Sequence, residues 1–424
     1  MGRVKSVRVP SMNKRYRSTA LSQYLMIALI LVGAVALGFA GFWMMSRLPF
    51  TDHFAIPWAA GRAWLLGGES PYGTTVATIA SNAIDGSPFL AVLPESQVYA
   101  NPLPSLVFYL LFSLMPYTVA RTIWVLLLVI SISFIVFMSI NLSGWKISLP
   151  GKLFVSLGVL LWLPGVDVIM GGHLSPVIIA LLLFSIYMVL TGQDTTAGFI
   201  LALTFNSFLT TGLVLLLILV WAISRKRWSI LASYFSGLVF LILIAFLIYP
   251  SWFTEWASVL LNMNISWEWF QSPLMALSAL LPGIAEPFAI LLHGIFGIYA
   301  LVLLITTVGQ SGRVFIYKIF SFFLITYLLH AQGSTVYLFY IVPAFLLMMR
   351  YMAERWNRLG YLLSWVFLTL IGVGSWLLTS FEVDFTQPLE MPLIYVGFPL
   401  FVIFGMVYIR WWALKIPKLP YETF

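Results

Sequence analysis

From Leu21 to Met45 the chain reads LSQYLMIALILVGAVALGFAGFWMM, an apolar run without a single Asp, Glu, Lys or Arg. About 20 apolar residues suffice to cross a bilayer as a helix, so this run is long enough to span and too long for the apolar core of a signal peptide. Upstream lie Arg3, Lys5, Arg8, Lys14, Arg15 and Arg17. Such a cluster predicts a basic cytoplasmic tail over 1–20 and a first span leaving the cytoplasm.

The same composition continues to the far end. Of 424 residues, 61% are hydrophobic and 8% charged, with a mean hydropathy of +1.00, whereas a soluble domain carries about a quarter charged residues. The expectation is an all-α polytopic membrane protein, with an integral membrane domain over 21–413 and a cytoplasmic tail over 414–424. Apolar runs at 104–115, 119–141, 153–170, 174–190, 195–222, 229–248, 286–308, 313–330, 335–349, 360–379 and 392–413 bring the expected count to about twelve spans. Alternating them puts Arg225, Lys226, Arg227, Arg313, Arg350, Arg355, Arg358, Arg410, Lys415 and Lys418 inside, and leaves Arg47, Arg62, Lys146 and Lys152 outside. That asymmetry fits the positive-inside rule and a multi-pass inner (plasma) membrane location with both termini cytoplasmic. The net charge of +8 is then a topology signal and a contact for membrane lipid, with no nucleic-acid function. With no Cys in the chain, disulfides and thiol chemistry are excluded.

The longest polar segment, 46–103, is the first extracytoplasmic loop. It begins with Asp52 and His53, followed by FAIPWAAGRAWLLGG over 54–68. Pro57 is tolerated in a first helical turn and Gly67-Gly68 supplies a stop, so a short surface helix is expected with Asp52 near its N-terminus. Thr51 or Asp52 caps that helix on one reading; on another, Asp52 is a general base at the bilayer surface. A Trp-rich stretch from Pro250 to Ser272 reads as an interfacial helix, with Glu255 as a candidate acceptor contact.

The loop continues through Gly67-Gly68-Glu69-Ser70-Pro71-Tyr72-Gly73 and Tyr99-Ala100-Asn101-Pro102-Leu103-Pro104. Together with Asp52, with Leu114-Met115-Pro116 and Ala120, and with Gly171-Gly172-His173-Leu174-Ser175-Pro176 followed by Ala197-Gly198, this pattern resembles the C-type membrane glycosyltransferase superfamily. Within it, the likeness is to bacterial polyprenol-phosphate-mannose-dependent mannosyltransferases. The resemblance covers most of 45–230. It departs where the family often has Lys-Pro and this chain has Asn206-Ser207, and where His173 and Ser175 replace a Gln-x-Asn pair.

The resemblance implies transfer of a hexose, mannose foremost, from a polyprenyl-phosphate sugar donor to an envelope glycolipid or glycan acceptor on the outer face. It implies no nucleotide, and no cofactor is expected; the absence of a close carboxylate pair near Asp52 argues against a metal. Asp52 is the expected base, with Tyr72, Tyr99, Asn101 and His173 among the matching binding positions. Stabilisation of the leaving phosphate falls to the scarce outer cations and imidazoles: Arg62, Arg47, His53 and His330, with Lys146 and Lys152 as remote candidates. Arg62 also reads as a snorkelling residue. His330 lies in the polar cluster His330-Ala331-Gln332-Gly333-Ser334, with Tyr337 beside it. His293 reads as a packing residue, and Glu382 with Asp384 as a solvated turn. Two rival readings are a transporter or lipid-linked-glycan flippase, and a non-catalytic relative of the same fold.

Overall fold

The computed structural model describes residues 39, 42–94, 97–205, 208–262, 272–274, 283–330, 335–379 and 393–412. Both tails, nearly all of the first expected span, and Glu95, Asn206, Ser207, Trp267, Glu268, Trp269, Gln332, Glu382, Asp384 and Glu390 lie outside the described residues. Within them the regular structure is helical apart from one parallel two-residue pairing. This joins β1 (Phe50–Thr51) to β2 (Ala91–Val92), with Phe50 opposite Ala91.

The first loop folds into α1 (Ala55–Gly67) and α2 (Thr75–Asp85). As expected, Pro57 falls in the first turn of α1 and Gly68, at φ +65°, ends it. The helix is not the half-exposed surface helix that the sequence suggests. Ala55 to Gly61 and Ala63, nearly all small or aromatic apart from Ile56 and Pro57, are buried among α2 and the turn at 109–117.

Four helices are long and apolar enough to cross a bilayer: Tyr117–Ser143, Trp228–Ile248, Pro287–Thr307 and Arg358–Trp376. A fifth candidate is the pair Leu149–Leu161 and Leu163–Gly171, bent by 66° at Trp162 ahead of Pro164. The expected dozen is therefore corrected to four or five among the described residues. Ser175–Leu190, Thr211–Ser224 and Tyr395–Trp411 are apolar but shorter. The run 313–330 becomes Gly312–Leu328, in which every residue from Phe315 to Leu328 is buried by protein.

We label the principal helices α3 (Tyr117–Ser143), α4 (Leu149–Leu161), α5 (Leu163–Gly171), α6 (Ser175–Leu190), α7 (Asp194–Thr204), α8 (Phe208–Ser224) and α9 (Trp228–Ile248). The run 104–115 does not span. It is a six-residue 3-10 helix, Leu103–Phe108, and one helical turn, Leu110–Ser113, because Pro102, Pro104 and Pro116 break it. The run 195–222 does not form one span either. α7 and α8 are separate, Thr211 Oγ1 donates to the Thr204 carbonyl at 3.1 Å, and Arg227 beyond α8 pairs with Asp194 at the start of α7. The segment thus returns to the end of the bundle it left.

The helical stretch Val342–Thr379 reverses direction within itself. Ser364 Oγ donates to the Met349 carbonyl, 15 residues earlier, at 3.3 Å, a separation of about 22 Å in a straight helix. The two apolar runs expected at 335–349 and 360–379 are therefore antiparallel neighbours across the Arg350–Arg358 turn. α7 and α9 approach most closely at small residues. A Cβ on Gly198 would strike Ser233 Oγ, and Ala202 lies against Gly237, which is the spacing that lets helix backbones meet in lipid.

These turns reassign two lysines. α3 starts beside Asp52 and ends at Ser143, whose carbonyl accepts from Arg350 Nη1. Lys146 and Lys152 follow that end, so they lie with the Arg350 turn and not, as expected, with the first loop. The cause is the missing crossing at 104–115.

Candidate functional site

Asp52 stands at the end of β1, its backbone N–H donating to the Val92 carbonyl at 2.9 Å. Its Oδ1 accepts the Phe54 N–H at 2.9 Å, a turn that Asp side chains favour and that holds it at the start of α1. Its Oδ2 accepts the Tyr117 hydroxyl and, at 3.2 Å, Arg121 Nε. Asp52 and Arg121 are both 0% exposed.

Tyr117, Arg121 and Trp124 form one stripe at the start of α3, spaced four and three residues apart. Arg121 Nη2 donates to the Met170 carbonyl, with the Ile169 carbonyl at 3.4 Å. Trp124 Nε1 donates to the Gly172 carbonyl at 2.9 Å. Phe50 and Phe54 lie under the guanidinium at 5.6 and 5.8 Å, and Arg121 Nη1 is buried without a hydrogen-bond partner. The stripe therefore ties the first loop to the turn between α5 and α6. Sequence reading missed Arg121 because it sits inside an apolar run. A lone arginine in such a helix needs an anionic partner, and this was the signal available.

The α5–α6 turn supplies the rest of the cluster. Gly171 accepts the His53 N–H at 2.8 Å, and the His53 and His173 rings stack at 4.0 Å. Burial is the larger cause of a fall in the His53 pKa below the usual histidine value; Asp52 opposes it and Arg121 adds to it. Burial lowers His173 further, followed by His53 and Arg121. Both rings thus favour the neutral form in the fold. Below about pH 6.5 the unfolded chain binds more protons than the folded one, so stability falls as pH drops. Unfolding in detergent from about pH 8 to about pH 5 should show this loss, and the His53→Asn/His173→Asn variant should flatten it.

Tyr72, Tyr99, Asn101 and Glu255 gather in a second group. The Tyr72 hydroxyl donates to the Asn101 carbonyl at 3.2 Å, the Tyr72 and Tyr99 rings lie 5.8 Å apart, and Tyr99 bonds Ser105. Glu255, on the helix Trp252–Asn262, accepts from Ser70, from Tyr249 at 2.7 Å and from Ser251 at 2.8 Å. Burial pushes its carboxyl up, and these three donors outweigh it, leaving its pKa below the usual glutamate value. Burial raises the hydroxyl pKa of Tyr72 and of Tyr99.

Arg62 stands apart from both groups. Its Nη1 donates to the Ser113 carbonyl at 3.1 Å and its guanidinium lies 5.4 Å from the Trp58 ring, so it caps the Leu110–Ser113 turn. His330 stacks on Tyr337 at 3.9 Å, and burial pushes Tyr337 up to about 12. Among the described residues no three of His, Asp and Glu gather as metal ligands. Three cavities open elsewhere, lined by residues 348–409, 154–376 and 140–152. In comparisons with protein-family models, curated proteins and solved structures, nothing matches the chain.

Proposed function

We propose that the chain is a membrane glycosyltransferase of the C-type fold, moving a hexose from a polyprenyl-phosphate sugar to a hydroxyl of an envelope glycolipid or glycan. The observation that carries this reading is the convergence of Asp52, His53, Tyr117, Arg121 and His173, from three separated segments, at one end of an apolar helix bundle. The cations Lys146, Lys152 and Arg350 gather at the opposite end of α3, which supports an extracytoplasmic placement for the Asp52 end.

On this reading the acceptor hydroxyl takes the place of the Tyr117 hydroxyl on Asp52 Oδ2. Its oxygen bonds to the sugar C1 as the C1–O bond to phosphate breaks; the proton goes to Asp52 and the electron pair to the phosphate. Arg121 Nη1, the donor without a protein partner, suits the departing phosphate. Asp52 and Arg121 are closed to solvent while His53 is exposed, so a substrate entering from the His53 side must part the His53–Gly171 bond and the two stacked rings.

A second reading, a non-catalytic relative in which Asp52 only locks the loop, draws on the saturation of both carboxylate oxygens. Membranes carrying wild type or Asp52→Asn, incubated with radiolabelled polyprenyl-phosphate mannose, separate the two. Loss of a general base reduces transfer by roughly 10²–10⁴-fold. Equal transfer by both chains rules out Asp52 as the base, and no transfer by either favours the non-catalytic relative.

A further inference from the structure

We infer that the cavity of about 550 Å³ between the end of α3 and the start of α4 binds the phosphate of an anionic phospholipid through Lys146 and Lys152. It lies at the opposite end of α3 from Asp52. A helix of 27 residues is about 40 Å long against a hydrocarbon core of about 30 Å, so this end reaches headgroup depth. Asn141, Trp145, Lys146 and Lys152 line the cavity, and no Asp or Glu does.

Among the described residues neither lysine forms an ion pair; Lys152 Nζ donates only to Asn141 Oδ1, at 2.8 Å. The Trp145 indole N–H is buried without a partner. Carbonyls at the end of α3, which would repel an anion, are already occupied: Gly144 and Trp145 donate to Asn141 and Ile140, and Arg350 to Ser143. The start of α4, capped by Ser148, adds the positive end of a helix dipole. What remains is two cations without a carboxylate partner and donor groups at the depth of lipid phosphates. Soluble phosphate shares this chemistry, but the flanking apolar helices favour the lipid.

The test uses the full chain in neutral detergent and reads its unfolding temperature with dioleoylphosphatidylglycerol, dioleoylphosphatidylcholine or inorganic phosphate added. A ligand of the folded state raises that temperature. The expected result is a rise with phosphatidylglycerol alone, lost in Lys146→Gln/Lys152→Gln and kept in Lys146→Arg/Lys152→Arg. Lys146 is exposed, so Lys146→Gln alone must at least halve the rise if the double variant does not fold. A rise of equal size with phosphatidylcholine, with inorganic phosphate alone, or in the glutamine variants overturns the lipid site.

Discussion

Asp52→Ala is expected to destabilise the folded chain by about 3–5 kcal/mol, the usual cost of removing one member of a buried ion pair. The carboxylate is the only anion in contact with Arg121 among the described residues, and both side chains are fully buried. Its loss leaves the guanidinium with a full charge among Phe50, Phe54 and backbone carbonyls. The effect should be non-additive, because removing the charge as well relieves it. In Asp52→Asn/Arg121→Met no buried charge remains, and replacing both partners of such a pair by uncharged groups is often close to neutral. Unfolding of the wild type, Asp52→Asn, Arg121→Met and the double in one detergent gives the coupling. Additive losses would mean that the pair is not what holds the loop to α3.

Gly172→Ala should be the next most costly change, at about 2–5 kcal/mol from left-handed backbone and overpacking together. Gly172 has φ +71°, and an added Cβ would lie 2.9 Å from the Phe54 Cβ and 3.1 Å from the Arg121 guanidinium carbon. Neither neighbour has room to move, since Phe54 starts α1 and Arg121 is fixed by Asp52 and Met170. Gly192 is the internal control. It has φ +80° with nothing within 4 Å of an added Cβ, so Gly192→Ala should cost only the backbone share, about 1–2 kcal/mol. Thermal unfolding of the two variants isolates the clash at the site, and equal shifts would show that the 172 turn has space the structure denies it.

Much of this was legible before any coordinates. Among the described residues most of the long apolar runs become helices, the stop at Gly67-Gly68 is real, and Asp52 does stand at the head of α1 with His53 and His173 close by. Hydropathy could not supply direction. The polar break at Thr204–Thr211 turns α7 and α8 into a returning pair, and prolines dissolve the run at 104–115, yet both segments look as apolar as a crossing. That one lost crossing also moves Lys146 and Lys152 from the side of the first loop to the other end. Long-range pairing was equally invisible: Arg121 lies 69 residues from Asp52, and only the folded chain identifies which acid a buried arginine meets.

The most direct measurement is sugar transfer by the Asp52→Asn/Arg121→Met variant, after its unfolding has been matched to the wild type. If the carboxylate takes the acceptor's proton, this variant folds, inserts into membranes and transfers no labelled hexose from the polyprenyl-phosphate donor. Transfer at the wild-type rate from a chain that lacks both charges would contradict the assignment of Asp52 as the base.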